Sequence, residues 1–231
     1  MRLSIIIPTY NESGNLAELL NLLIGNSDEL AEITVVDSPD STDDSESICA
    51  QYEQVRYVKS DNAGRASQMN LGVEYSRGDV IWFVHADVRP PREYISLIQE
   101  QIENGDGYGF FSYRFEPDTW LLRWNSRYTK SDGIFAGAGD QCQYFTRAAW
   151  EEMNGYDETF CIMEDFDMTR RIRRAEIPYS IIPQDVVVSS RKYQENSWLR
   201  VNLINLWVFI HYRLGSKPSK LKRLYSSLLR C

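Results

Sequence analysis

The chain has 231 residues, 43% hydrophobic and 25% charged, with a formal net charge of −8. That length and mix suit one large soluble domain, and the acidic balance argues against a nucleic-acid partner, since such domains carry a basic surplus. Cys49, Cys142, Cys161 and Cys231 form no CxxC pair, which argues against a zinc knuckle or disulfide framework and fits a reducing compartment. The apolar run at residues 3–7 is too short for a signal-peptide core and ends at Pro8. No segment reaches the roughly 18 apolar residues of a membrane span, so a cytoplasmic location is expected.

Leu3-Ser-Ile-Ile-Ile7 is a continuous apolar run, the pattern of a parallel strand covered on both faces. Leu16, Leu19, Leu20 and Leu23 follow at helical spacing, with Ser13 available as a cap. Ile33-Thr-Val-Val-Asp37 reads as a second strand ending in an acid. Ser41-Thr-Asp-Asp44 reads as a helix start in which Ser41 caps and the acids favour the positive end of the dipole. A third strand is expected over residues 55–58, a helix over 64–75 and a fourth strand over 79–84. Four strands alternating with three helices in about ninety residues predict an α/β, doubly wound, mostly parallel sheet.

Beyond Pro90-Pro91 the pattern changes. A helix is expected over 92–104, and residues 108–115 alternate aromatic and polar side chains as an antiparallel or edge strand would. Trp120, Leu121 and Trp124 mark an aromatic segment lining a surface or groove, residues 143–145 a short strand, and residues 164–175 a helix stopped before Pro178. No repeat or Gly/Ser linker divides the chain. The reading is a single domain over 1–195 with an amphipathic helical tail over 196–231. The stretch from Trp198 to Leu214 is strongly apolar, so the tail either packs on the domain or lies in a bilayer interface, where Trp, Tyr and Arg are at home. Lys217, Lys220, Lys222 and Arg223 follow and would favour anionic lipid.

Candidate chemistry gathers where strands end. In Asp79-Val-Ile-Trp-Phe-Val-His-Ala-Asp87 an apolar strand runs into a carboxylate at its carboxyl end, the side on which open α/β sheets bind ligands. Asp87, with His85 two residues before it, is placed to hold a cation on a phosphate, although Asp is also a common turn residue. Asp37 ends another strand, and Glu164, Asp165 and Asp167 precede Arg170, Arg171, Arg173 and Arg174. Each has an ordinary alternative: a turn acid for Asp37, a cap for Asp165, and a solvated helix with favourable dipole and i,i+4 pairs for the acid-then-base run. Their order along one α/β chain favours chemistry.

Ser4-Ile-Ile-Ile-Pro-Thr-Tyr-Asn-Glu12 closely resembles the first strand and loop of family 2 glycosyltransferases with the GT-A fold. Ile33-Thr-Val-Val-Asp37 with Ser41-Thr-Asp43 resembles their second strand and its loop, Val84-His-Ala-Asp87 their metal-binding Asp-x-Asp, and Met163-Glu-Asp165 their acceptor-side Glu-Asp. Gly64-Arg-Ala-Ser-Gln-Met-Asn70 and Gly139-Asp-Gln141 further resemble a small bacterial subgroup in which His-Ala-Asp is usual; together the matches cover about residues 1–215. The resemblance implies a GT-A fold: one Rossmann-like nucleotide-binding domain with a central, mostly parallel twisted sheet plus C-terminal helices. It implies inverting, metal-dependent transfer of a sugar from a nucleotide-sugar, UDP- or GDP-linked, to an acceptor hydroxyl. By residue, it implies Pro8, Thr9, Tyr10 and Glu12 around the nucleoside, Asp37 on the base, Arg65 near the diphosphate, Asp87 on Mg²⁺ or Mn²⁺, and Asp165 as the base that takes the acceptor proton. His85, Glu164, Gln141 and Arg191 are expected in support.

Three departures bear on these expectations. His85 replaces the first Asp of the usual metal motif, so Asp87 is the carboxylate left for the ion. Ser38-Pro-Asp40 stands where many relatives have small, Gly-rich residues, which leaves nucleoside preference open. Ser190-Arg-Lys-Tyr193 only loosely resembles the Gln-x-x-Arg-Trp of processive polymer synthases, so a single transfer is expected. The aromatic segment and apolar tail point to a lipid-linked or amphipathic acceptor and to peripheral contact with the inner face of the cell membrane. One alternative is a nucleotidyltransferase, although Thr9-Tyr-Asn-Glu12 lacks the Gly-rich basic loop it would use. Another is a non-catalytic nucleotide-sugar-binding protein, against which the presence of both Asp87 and Asp165 weighs.

Overall fold

β1 (Leu3–Thr9) is buried at every position, as a strand with neighbours on both edges and cover on both faces must be. In this computed structural model, which describes residues 1–25 and 30–229, β2 (Leu30–Asp37) and β4 (Val80–Phe83) flank β1 in parallel, and β3 (Val55–Lys59) lies outside β2. Cys231 lies outside the described residues. The connections are α1 (Ser13–Ile24), α2 (Ser45–Cys49) and α3 (Arg65–Glu74).

Alternation along β1 sorts these helices onto two faces. Ile5 and Ile7 meet Leu16, Leu19, Leu20 and Leu23 of α1 on one face. Ile6 meets Ala66, Met69 and Val73 of α3 on the other. At Gly72 the helix comes so close to β1 that a Cβ would collide with the Ile6 side chain.

The caps differ from expectation. Ser13 is the first residue of α1 rather than its cap, and Ser41 bonds Asn11 instead of capping a helix. One carboxylate, Asp43, accepts from Ser13 N at 2.6 Å and from Ser45 N and Oγ at 3.2 and 2.7 Å, so it serves the starts of both α1 and α2. Burial works against its charge, but these bonds outweigh it and hold its pKa low.

The remainder of the domain comprises β5 (Val88–Arg89), α4 (Tyr94–Glu103), β6 (Tyr108–Glu116), α5 (Trp120–Arg127), β7 (Tyr144–Thr146), α6 (Arg147–Met153), α7 (Glu164–Arg174) and β8 (Tyr179–Ser189). The strand order is β3-β2-β1-β4-β7-β6-β8-β5 among the described residues. β7 runs antiparallel to both β4 and β6 and joins the parallel half to the rest. The expectation for residues 108–115 needs correcting in part. β6 is antiparallel to β7, yet it is an interior strand, because β8 pairs with it in parallel along its other side. β8 carries Pro183 in its middle, which disguises it in the sequence; the register shift between Phe111 and Ser112, opposite Ile182 and Asp185, absorbs that proline.

The tail forms α8 (Arg191–Glu195), α9 (Trp198–Arg213) and α10 (Pro218–Leu228). α9 departs from the amphipathic expectation: it is apolar on both faces. Val201, Ile204, Val208, Phe209 and Tyr212 are buried, with Phe160, Ile162, Met163 and Phe166 packed against their cluster. Leu199, Leu203, Leu206, Trp207 and Ile210 face outward. Among the described residues no helix is long and apolar enough to cross a membrane.

Candidate active site

At the carboxyl ends of β1, β2 and β4 lies an open cleft of about 450 Å³. Pro8 and Thr9 at the end of β1 and Tyr10 and Glu12 from the loop after it line it, with Arg65 at the start of α3 and His85 and Asp87 beyond β4. The structure thus brings most of the expected donor-side residues to one place. Asp37 is not among them. It is 1% exposed beneath the cleft, and its oxygens accept from Thr9 Oγ1 at 3.0 Å, Tyr57 OH at 2.9 Å and Lys59 Nζ at 3.0 Å. Ser38 and Asp40, just beyond it, reach the cleft instead, together with Gln68.

Adjoining the cleft is a much smaller recess of about 10 Å³, lined by Glu164, Asp165, Gly139, Gln143, Tyr156 and His85 among others; it is roughly the size of one water. His85 lines both spaces. Met163 takes a left-handed conformation (φ 68°) immediately before α7, so that the acids of the first turn are buried rather than solvated. Glu164 is 1% exposed. One of its oxygens pairs with Arg65 Nε, and the other has no hydrogen-bond partner among the described residues.

Asp165 accepts from Phe166 N at 2.8 Å through one oxygen and from Gly139 N through the other. Burial, then the charge of Glu164, pushes its pKa well above the usual carboxylate range, against the opposing pull of Arg65 and the two amides. Burial opposes the charge of Arg65 as well, but Glu164 and Asp165 more than offset it. His85 is pushed down to about 3 by burial and then by Arg65, so its imidazole is neutral near pH 7. The backbone of Gly139 sits among all three: a Cβ there would lie 3.2 Å from Asp165 Oδ2, 3.3 Å from His85 Nε2 and 3.4 Å from Arg65 Nη1.

Gln141, expected near the ligand, is turned to another task. Its Oε1 accepts from Gly137 N and Ala138 N at 2.8 and 3.0 Å, and its Nε2 donates to Phe111 O and Thr129 O at 3.1 and 3.3 Å. It therefore fixes the loop that carries Gly139. Sequence reasoning missed its neighbour Asp140, which is exposed and close enough to Asp87 to disfavour its charge. It also missed Gln143 and Tyr156, which line the small recess and are joined by a 2.6 Å hydrogen bond. The signal for Asp140 was present, since an acid lies inside the Gly139–Gln141 motif.

At the mouth, Arg191 of α8 pairs with Glu12 and approaches Asp87 Oδ2 at 3.7 Å. Burial first, then Asp140, raises the Asp87 pKa to about 6, and Arg191 opposes the shift. A carboxylate whose charge is held at such a disadvantage, beside a second carboxylate and a neutral imidazole, suits a hard divalent cation. No group of three or more acidic, His or Cys side chains gathers there among the described residues. A cation held here by Asp87 would need ligand oxygens or water for the rest of its coordination shell.

A model of glycosyl transferase family 2 matches residues 4–172. The chain belongs to that family. This family 2 glycosyltransferase is 25% identical over 236 residues to an uncharacterized glycosyltransferase of Rickettsia felis, covering 90% of this chain and 38% of that protein. It is 31% identical over 133 residues to an undecaprenyl-phosphate 4-deoxy-4-formamido-L-arabinose transferase of Pseudomonas aeruginosa, covering 54% of this chain and 39% of that one. The chain thus spans less than half the length of these curated relatives. Among solved structures it resembles a mannosyltransferase of Pyrobaculum calidifontis in complex with GDP-Man and Mn²⁺, with a TM-score of 0.69 at 20% identity, over 97% of this chain and 68% of that one. The shared fold is the GT-A fold.

Proposed function

We propose that this glycosyltransferase moves a single sugar, with inversion, from a nucleotide-sugar held by a divalent cation to an acceptor hydroxyl. The observation that carries the reading is that His85 lines two adjoining spaces, the wide cleft with Asp87 and the small recess with Asp165, which brings both acids to one region. Pro8, Thr9, Tyr10 and Glu12 flank the nucleoside, and the base edge meets Ser38 and Asp40, because Asp37 is covered and already bonded. Asp87, helped by Asp140, would hold Mg²⁺ or Mn²⁺. Such an ion offsets the negative charge that develops on the departing diphosphate, and a relative of this fold carries GDP-Man with Mn²⁺. A UDP- or GDP-sugar is the donor class.

Asp165 takes the proton of the acceptor hydroxyl at a carboxylate oxygen. Its raised pKa makes it a stronger base than an exposed carboxylate, while it remains able to ionise near neutral pH. Inversion in one displacement needs the base and the diphosphate on opposite sides of the anomeric carbon, and Asp165 and Asp87 line different spaces that share His85. The Arg65–Glu164 pair and Gly139 N keep the base in place. Product analysis with UDP-GlcNAc and GDP-mannose in Mn²⁺ tests the reaction class. Release of nucleoside diphosphate is expected; release of pyrophosphate would indicate nucleotidyl transfer, and tight binding without turnover would indicate a binding protein.

The acceptor class follows from the surface. Trp120 and Trp124 of α5, Ile134 and Phe135, and Leu203 and Trp207 of α9 are all exposed. Contacts between Trp124 and Trp198 (6.2 Å) and between Phe135 and Phe209 (4.7 Å) join these elements. Large exposed apolar patches mark interaction sites, and Trp and Tyr beside Arg123 and Arg127 suit a bilayer interface. The name of the Pseudomonas relative includes a polyprenyl phosphate. The acceptor is accordingly lipid-linked or amphipathic, and the enzyme binds peripherally at the cytoplasmic membrane face. Flotation with anionic liposomes checks this: the protein should rise with the vesicles and Trp207→Glu should not, whereas equal flotation of the two removes the argument.

A further inference from the structure

The C-terminal helix reaches the donor cleft. Lys222 of α10 lines the 450 Å³ space together with Cys161, opposite the loop after β1. α10 is firmly seated there. Leu221, 1% exposed, joins Val201 and Val208 of α9 in a buried cluster on which Ile162, Met163 and Phe166 also pack. Lys192 donates to Tyr225 OH, and the Arg200 guanidinium donates twice to the Leu228 carbonyl at 2.7 and 3.0 Å. The helix is therefore tied to the segment that delivers Glu164 and Asp165.

The cations around the cleft are not equivalent. Arg65 is paired with Glu164, Lys59 with Asp37, and Arg191 with Glu12 and Asp87. Lys222 has no ion-pair or side-chain hydrogen-bond partner among the described residues. A nucleoside diphosphate brings concentrated negative charge into a space lined by Glu12, Asp40 and Asp87. Among the described residues, the one lining cation not already matched to an acid is the group best able to meet it, and a lysine ammonium serves phosphate as a mobile point charge.

We propose that Lys222 is a donor-binding residue whose ammonium contacts a phosphate oxygen of the nucleoside diphosphate, which makes the C-terminal helix a wall of the donor site. This inference rests on the donor reading above. It also takes Lys222 away from the lipid-facing role expected for the basic run, leaving that role to Lys217, Lys220 and Arg223.

Isothermal titration of the full chain with UDP and GDP, in Mn²⁺ at low salt, tests it. K222A should weaken the better ligand about tenfold, in keeping with loss of a charge-assisted contact. K222R should recover most of the loss, and K220A, on the same helix outside the cleft, should bind like the unsubstituted protein. The difference should shrink at roughly 0.5 M salt. Melting without ligand should be unchanged, since Lys222 is exposed. Tight binding by K222A at low salt, or an equal loss in K220A, would overturn the proposal while leaving the donor site standing. If the unsubstituted protein bound neither nucleotide, the donor reading would fail and this inference with it.

Discussion

In the small recess the acids are held under cover, Glu164 by Arg65 reaching in from the cleft and Asp165 by two backbone amides. In the open cleft they are held by partners that a ligand can replace, as when Arg191 stretches across to Glu12 and Asp87 from a helix at the rim. The first arrangement is set before substrate arrives, and preorganised polar groups of this kind need little rearrangement during reaction. On the proposed function the second would be completed by the ligand, since among the described residues Asp87 has too few carboxylate neighbours to fill a metal's coordination shell. On the proposed function the inner side serves chemistry and the outer side capture, and His85 is the wall they share.

Substitutions can separate the two sides. The largest effect is expected from Asp165→Asn, which should slow single turnover by about 10²–10⁴-fold while nucleotide affinity stays unchanged; near-normal turnover would remove Asp165 as the base. Asp87→Ala should lower metal-supported turnover by roughly 10²-fold, the loss of a few kcal/mol of charge stabilisation, and activity that survives EDTA undiminished would end the metal role. Arg65→Met leaves Glu164 buried without its partner. Because Arg65 is 37% exposed, the low end of the range for a broken buried pair applies, about 3 kcal/mol, or a melting temperature lower by about 6–12 °C. A stable R65M protein would mean that the pair does not hold the pocket together.

Smaller effects probe the wall itself. Gly139→Ala places a methyl group 3.2–3.4 Å from Asp165, His85 and Arg65. Displacements of a few tenths of an ångström should reduce turnover about tenfold with little change in nucleotide affinity. The pH dependence of Mn²⁺-supported UDP binding follows Asp87, whose pKa of about 6 lies above the ordinary carboxylate value. The ion needs the ionised form, so binding should be level above pH 7 and fall on acidification, by about fourfold between pH 7.5 and pH 5.5. A profile flat down to about pH 5 would place the cation elsewhere.

The parallel half of the sheet could be read from sequence because β1, β2 and β4 contain short apolar runs, and α1 shows its buried stripe at Leu16, Leu19, Leu20 and Leu23. The antiparallel junction and β8 could not, since Pro183, Gln184 and Asp185 interrupt the apolar pattern and only pairing with β6 makes the segment a strand. The site follows the same division. Residues at strand ends, such as Asp87 and Glu12, fall where periodicity places them. Asp37 satisfies the same pattern yet is covered, because Tyr57 and Lys59 from the neighbouring strand close over it. Asp140 and Lys222 come to the site through a loop held by Gln141 and a helix seated on α9. Those long-range contacts leave no local signature.

Thermal shift with UDP and GDP, with and without Mn²⁺, in the unsubstituted protein, Asp87→Ala and Asp165→Asn tests the division most directly, because ligands that bind the native state raise its melting temperature. A nucleotide shift enlarged by Mn²⁺ is expected in the unsubstituted protein and in Asp165→Asn, with no enlargement by Mn²⁺ in Asp87→Ala. An equal Mn²⁺ effect in Asp87→Ala, or its loss in Asp165→Asn, would contradict the separation of capture from chemistry.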